Sequence, residues 1–112
     1  MKKLYFNHKG KKFNIDVEVC GFFGKIFGLM FKSKESANAL LFEFEKPTRM
    51  SIHSLFVFFP FLAIWLNKKG KVIEIKKVKP FTASVFSKKN FYKLLEIPFN
   101  KKYDDKIRIL HE

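Results

Sequence analysis

The chain has 112 residues and a mass of 13.3 kDa, enough for one domain, spanning residues 1–112, with a modest core. Apolar residues make up 47% and charged residues 29%, which excludes an intrinsically disordered chain. The formal net charge of +13 and the 16 phenylalanines depart from an average composition, and the single cysteine, Cys20, excludes an intramolecular disulfide and a cysteine-based zinc site.

Met1-Lys2-Lys3-Leu4 opens like an export signal, but only Leu4, Tyr5 and Phe6 precede the polar Asn7, His8 and Lys9. An export signal needs an apolar run of about 7–15 residues. Leu4 to Phe6 reads instead as a short strand, joined through His8-Lys9-Gly10-Lys11 to a second one. In that second strand Phe13, Ile15, Val17 and Val19 alternate with Lys12, Asn14, Asp16 and Glu18, the period-2 pattern of a half-buried strand. Phe22, Phe23, Ile26, Phe27 and Met30 then fall at helical spacing, and Gly28 is expected to end that short helix in a left-handed cap. Ser33 to Asn38 is a polar connector. Leu40 to Phe44 reads as a strand with Phe42 and Phe44 on one face, and Lys46-Pro47-Thr48 as a turn.

The most apolar stretch, Ile52 to Leu66, contains His53, Ser54 and Pro60 and is shorter than the roughly 20 residues a membrane-spanning helix needs. It predicts two buried strands with a corner at Pro60, Ile52 to Phe59 lying centrally because it is apolar on both faces. Leu62 to Leu66 and Val72 to Val78 form a hairpin around Asn67-Lys68-Lys69-Gly70, with Lys76 facing solvent beside Glu74. Phe91 to Ile97, closed by Pro98, and Lys106 to Leu110 complete the set. The sum is an all-β chain of about eight short strands with one helix, an antiparallel sandwich or distorted barrel. Its expected core includes Phe42, Phe44, Phe56, Phe58, Ile64, Ile73, Leu95 and Ile97. The expected setting is cytoplasmic, with a reduced Cys20 acting as a small hydrophobe.

From Gly28-Leu29-Met30 onward the sequence resembles the domain-of-unknown-function 192 family in its archaeal form. The matching positions, in order, are Gly28, Leu29 and Met30; Leu41, Phe42 and Phe44; Ile52 and His53; Phe56, Phe59 and Pro60; Pro80; and Leu95-Glu96-Ile97-Pro98. The resemblance spans residues 17–98. It implies a compact β-sandwich or distorted barrel with a short helix, and it brings no catalytic residue. The family's usual aspartates after the proline and at the end of that strand are replaced here by Leu62 and Asn67, which argues against metal binding or acid–base work at that corner.

The residues themselves show no catalytic constellation. His8, His53 and His111 are scattered, without zinc-ligand spacing, and Gly21, Gly24 and Gly28 fit neither nucleotide-binding fingerprint. No cofactor, metal or catalytic residue is expected. Charge is the stronger hint: Lys68, Lys69, Lys71, Lys76, Lys77, Lys79, Lys88, Lys89 and Lys93 crowd one segment in which Glu74 is the sole acid. Such a cluster suits a polyanion, and Phe91 and Tyr92 beside it suit stacking on unpaired bases. Three readings follow. The first is a non-enzymatic binding module for a partner or ligand. The second is a sequence-independent binder of nucleic acid or an anionic surface through those lysines. The third is an enzyme with a pocket near His53. The expected oligomeric state is a monomer or a weak homo-oligomer.

Overall fold

A computed structural model of the chain describes residues 1–21, 29, 32–54 and 56–111. Among them six strands form one sheet: β1 (Lys2–His8), β2 (Lys11–Val19), β3 (Leu40–Thr48), β4 (Phe61–Leu66), β5 (Val72–Val78) and β6 (Phe91–Pro98). Their order across the sheet is β1-β2-β3-β6-β4-β5. Only β2 and β3 run parallel, over Glu18–Leu40 and Val19–Leu41. A short 3-10 turn, Lys101–Tyr103, leads into the helix α1, Asp104–Leu110.

Local chemistry sets the hairpins. Lys9 and Gly10 both take positive φ, 51° and 77°, the two-residue geometry whose twist matches that of the flanking strands. In the β4–β5 hairpin the Asn67 Oδ1 accepts from the amides of Lys69 and Lys71, and Gly70 turns the chain at φ 84°. A Cβ on Gly70 would come within 3.2 Å of the Tyr5 carbonyl oxygen, because the two sheet edges meet there. The Asn7 amide donates to the Gly70 carbonyl at 2.9 Å, and Asn7 bridges Lys71. The sheet is therefore curled into a half-barrel.

Each face buries its own cluster. The concave face gathers Leu4, Phe6, Ile15, Val17, Leu41, Leu62, Ile64, Leu66, Leu95 and Ile97, closed by Tyr103, Ile107 and Leu110 of the C-terminal cap. The convex face gathers Leu40, Phe42, Phe61, Ala63, Trp65, Val78, Phe91 and Leu94, covered by Leu29, Ile52, Val57 and Phe59. β4 is buried along its whole length, as a strand sandwiched between two apolar layers must be.

Several expectations change. The chain has six strands in one sheet among the described residues, in place of eight. Lys106 to Leu110 is helical: Tyr103, Ile107 and Leu110 recur at i, i+4 and i+7 and bury one face, while Asp104 and Asp105 stand in the first turn and Arg108 in the last, complementing the helix dipole. Lys46-Pro47-Thr48 lies within β3. Among the described residues of Ile52 to Phe59 there is no strand; Ile52 makes one isolated bridge to Val85. Phe42, Ile64, Leu95 and Ile97 are buried and Phe44 and Ile73 half-buried, but Phe56 and Phe58 face out. The helix read over Phe22 to Gly28, and Met30, lie outside the described residues.

Candidate functional site

The described residues of 49–58 run beside residues 79–89 as an irregular ribbon over the convex face. Ile52 and Val85 exchange both backbone hydrogen bonds, at 2.9 and 2.8 Å, and the Ser54 amide donates to the Thr82 carbonyl at 2.8 Å. Ser54 is fully buried and acts as the hub. Its hydroxyl donates to the Lys79 carbonyl at 2.5 Å and accepts from the Thr82 amide at 2.8 Å, and its carbonyl accepts from the Phe81 amide at 2.7 Å. Arg49 Nη2 ties the far end by donating to the Ser87 carbonyl at 2.9 Å.

This frame holds Phe81 at φ 62°, a left-handed conformation that costs a bulky residue on the order of 1–3 kcal/mol. The result is a ring 61% exposed. Phe58 is 60% exposed and meets Phe81 edge to face, centroids 5.7 Å apart and planes at 68°. Phe56 at 48% and Phe86 at 53% complete the set. Every exposed phenylalanine among the described residues stands on this ribbon, with exposed Met50 beside them, while Ile52, Val57 and Phe59 anchor it in the convex core. The two segments contain Arg49, Lys79, Lys88 and Lys89 and no acidic residue.

The lysines named from sequence do not act alike. Lys68, Lys69, Lys71, Lys77, Lys79, Lys88 and Lys89 are exposed. Lys68 lies over the Tyr92 ring and Lys77 over Phe99. Lys76, expected in solvent, is half-buried: its Nζ donates to the Phe86 carbonyl at 2.7 Å, lies 3.5 Å from Glu74 and sits over the Trp65 ring. Lys93 pairs with Glu43 at 3.8 Å. Strand alternation sends Lys76, opposite Ala63, to the convex face and Lys77, opposite Leu62, to the concave one. Phe91 is fully buried and is closed to bases. A bulge between Trp65 and Leu66 puts Ile73 against the convex core and Ile75 against the concave one, so the two isoleucines do not share a face.

Of the family-pattern positions, Leu29, Leu41, Phe42, Ile52, Phe59, Leu95, Ile97 and Pro98 are buried. Phe44, Pro60 and Pro80 are half-buried, and His53 and Phe56 are exposed on the ribbon; Gly28 lies outside the described residues. Leu62 is buried in the concave core; Asn67 shapes the hairpin turn. Among the described residues no group of three or more His, Cys, Asp or Glu side chains forms a metal site.

Among the described residues Glu96 is the one buried carboxyl. It is 6% exposed and flanked in the sheet by Leu40 and Ala63. Burial alone pushes its pKa up to about 8, because a charge is poorly solvated among apolar neighbours. The Trp65 indole N–H on the same face is buried without a partner. In the sequence Glu96 stands only as a family-pattern position; the signal for its chemistry is a lone acid in the apolar run Leu94 to Pro98. Elsewhere, an open cleft of about 440 Å³ lies among Lys34, Glu35, Phe99, Asn100, Lys101 and Asp104, where Asn100 Nδ2 donates to the carbonyls of Lys34 and Ala37.

A half-barrel sheet with a short C-terminal helix is the fold class. The family model for domain of unknown function 192, described as Uncharacterized ACR, matches residues 5–108. The chain belongs to this family. Two solved structures share the fold. One is a candidate transcription regulator from Sinorhizobium meliloti 1021, with 17% identity and a TM-score of 0.73 over 86% of this chain and 78% of that one. The other is a protein of unknown function from Novosphingobium aromaticivorans, with 16% identity and a TM-score of 0.73 over 92% of this chain and 75% of that one. No curated protein matches the sequence.

Proposed function

We propose that this chain is a non-enzymatic binding module that engages an anionic partner through the ribbon of residues 49–58 and 79–89. One observation carries the reading: the exposed phenylalanines among the described residues are concentrated on a single hydrogen-bonded ribbon, one of them held in a strained conformation. Strain and exposed apolar surface are both costs to folding, and proteins retain them where a partner is met. The absence of acids from the ribbon and a chain charge of +13 select the sign of that partner.

The second reading, a sequence-independent nucleic-acid contact through the segment Lys68 to Lys93, is favoured by the exposure of Lys68, Lys69, Lys71, Lys79, Lys88 and Lys89. One experiment tests the first reading and separates it from the second. Binding to labelled oligothymidylate and to phosphatidylserine-containing vesicles is measured at low salt for the native chain and for the Lys79→Glu/Lys88→Glu/Lys89→Glu variant. The ribbon reading expects at least one of the two anionic probes to be bound, and that binding to collapse in the variant. Binding of neither probe, or binding that the variant leaves intact, overturns it; in the latter case Lys68, Lys69 and Lys71 at the opposite end of β5 become the site.

A further inference from the structure

We infer that the partner of the ribbon is an anionic lipid surface, with Phe58 and Phe81 inserted as a wedge and the ribbon's lysines, Lys79 close to Phe81 in the chain and Lys88 and Lys89 towards the other end, on the headgroups. The inference rests on the ribbon reading above and names the class of partner it serves. Three observations choose lipid over single-stranded nucleic acid.

The first is ring geometry. Bases stack with their planes parallel, so a stacking platform presents ring faces in register. The Phe58 and Phe81 planes stand at 68° with centroids 5.7 Å apart. Stacked bases cannot lie flat on both, whereas an edge-to-face pair forms a compact apolar tip.

The second is residue type. The large apolar rings that the ribbon exposes are all phenylalanine, with no hydroxyl or indole N–H to hydrogen-bond a base edge; His53 is the one exposed ring there that has a polar edge. Among the ribbon's cations, Lys79, Lys88 and Lys89 are point charges, and Arg49 already spends one N–H on the Ser87 carbonyl. Lysine suits a fluid layer of headgroups with no fixed geometry, while base reading and bidentate phosphate capture favour arginine. Neither segment contains an acidic side chain, and the Glu74 carboxylate that accepts from the Lys88 amide at 2.7 Å is nearly buried and paired with Lys76.

The third is preorganisation. The buried Ser54 hub fixes the ribbon, and Ile52, Val57 and Phe59 seat it in the convex core. The rings are therefore displayed before binding, and little ordering cost is left for the encounter. The strained φ at Phe81 fits this setting, since it accompanies a large ring displayed to solvent. Among the described residues no helix is long and apolar enough to cross a membrane; the contact proposed is peripheral, the apolar tip entering the interface and the charges staying in the headgroup layer.

The experiment is cosedimentation of the full chain with phosphatidylserine–phosphatidylcholine vesicles and with pure phosphatidylcholine vesicles, at low and high salt. The variants are Phe58→Ser/Phe81→Ser and Lys88→Glu/Lys89→Glu, each first checked for an intact thermal transition. The expected result is partition to the anionic vesicles alone, weakened by salt. The loss should be at least about tenfold in the phenylalanine pair and similar in the lysine pair. As an independent readout, a Phe58→Trp chain should show a blue-shifted emission component on the anionic vesicles only. Partition undiminished in the phenylalanine pair, or no emission shift, overturns the wedge. Binding of labelled oligothymidylate without vesicle partition overturns lipid in favour of nucleic acid and leaves the ribbon reading standing. Binding of neither probe removes both.

Discussion

The concave and convex faces of the sheet each bury a dozen or so apolar side chains, yet they finish differently. On the concave face the C-terminal cap closes the barrel mouth and satisfies what it covers. The Ala39 amide donates to the Tyr103 hydroxyl at 2.8 Å, and Lys102 Nζ donates to Asn38 Oδ1 at 2.8 Å; Asn100 Oδ1 is the exception, a buried acceptor without a partner. On the convex face the cover includes a ribbon that turns four phenylalanines outward and holds one in a left-handed conformation, and the sheet layer on that face contains a buried carboxyl, and an indole N–H without a partner. Among the described residues each side leaves one buried polar atom without a partner, so what separates them is the left-handed bulky residue and the displayed rings of the convex side, costs that proteins retain where a partner is met.

Glu96 offers the largest expected effect. Its folded pKa, about 8, lies above the unfolded value of 4.5, so between those limits the folded state holds the extra proton. Stability therefore falls as pH rises from 4.5 to about 8, by about 1.4 kcal/mol per unit, and is flat above. Glu96→Leu should remove that slope. The advantage of the variant over the native chain should be small near pH 5 and grow to at most about 5 kcal/mol by pH 9, read as the difference in urea midpoints. Parallel curves for the two chains would show that Glu96 has a partner or a water path, and the contrast between the faces would weaken.

A matched pair of truncations tests the contrast directly. Ile64→Ala, in the concave core of β4, should cost about 2–5 kcal/mol, because it leaves a cavity in a layer closed on every side. Phe58→Ala, on the ribbon, should change stability by no more than about 0.5 kcal/mol, since its ring already faces out. Equal losses in thermal denaturation would mean that the ribbon is core in all but exposure, and its phenylalanines would need no partner to explain them.

The parts legible in the sequence were those in which local pattern and tertiary burial agree. The alternation of β2, the Asn67–Gly70 hairpin and the Pro98 stop are set by neighbours within a few residues, and they recur in the structure. Ile52 to Phe59 misled because an unbroken apolar run is equally compatible with a buried strand and with a ribbon that alternates anchors and displayed rings. Only the pairing of Ser54 with Lys79, Phe81 and Thr82, about 25 positions away, decides which. Val19, read as the inward end of β2, is exposed because β2 there pairs with β3 in parallel and leaves the hairpin face. For the candidate site, the sign of the charge was legible and its placement was not. Alternation on β5 divides Lys76 from Lys77, Phe91 is buried, and the exposed rings are Phe56 and Phe58, which the sequence assigned to the core, and Phe81 and Phe86, which it assigned to no element.

The smallest expected effect bears on Phe81 itself. Asparagine tolerates the left-handed region better than any bulky residue, so Phe81→Asn should relax the strain at φ 62°. It also gives up the edge contact with Phe58, worth about 0.5–1.5 kcal/mol for an aromatic pair and less here, where both rings are largely in water. Strain relief should prevail, and the variant should be more stable by about 1 kcal/mol, a rise of several degrees in the thermal midpoint for a chain this size. The same variant should bind anionic vesicles more weakly, because the tip loses half of its wedge. A gain in stability together with a loss of binding is the signature of strain kept for a surface. A loss of stability would instead place the Phe58–Phe81 contact among the interactions that hold the ribbon together, and the backbone conformation at Phe81 would then follow from packing.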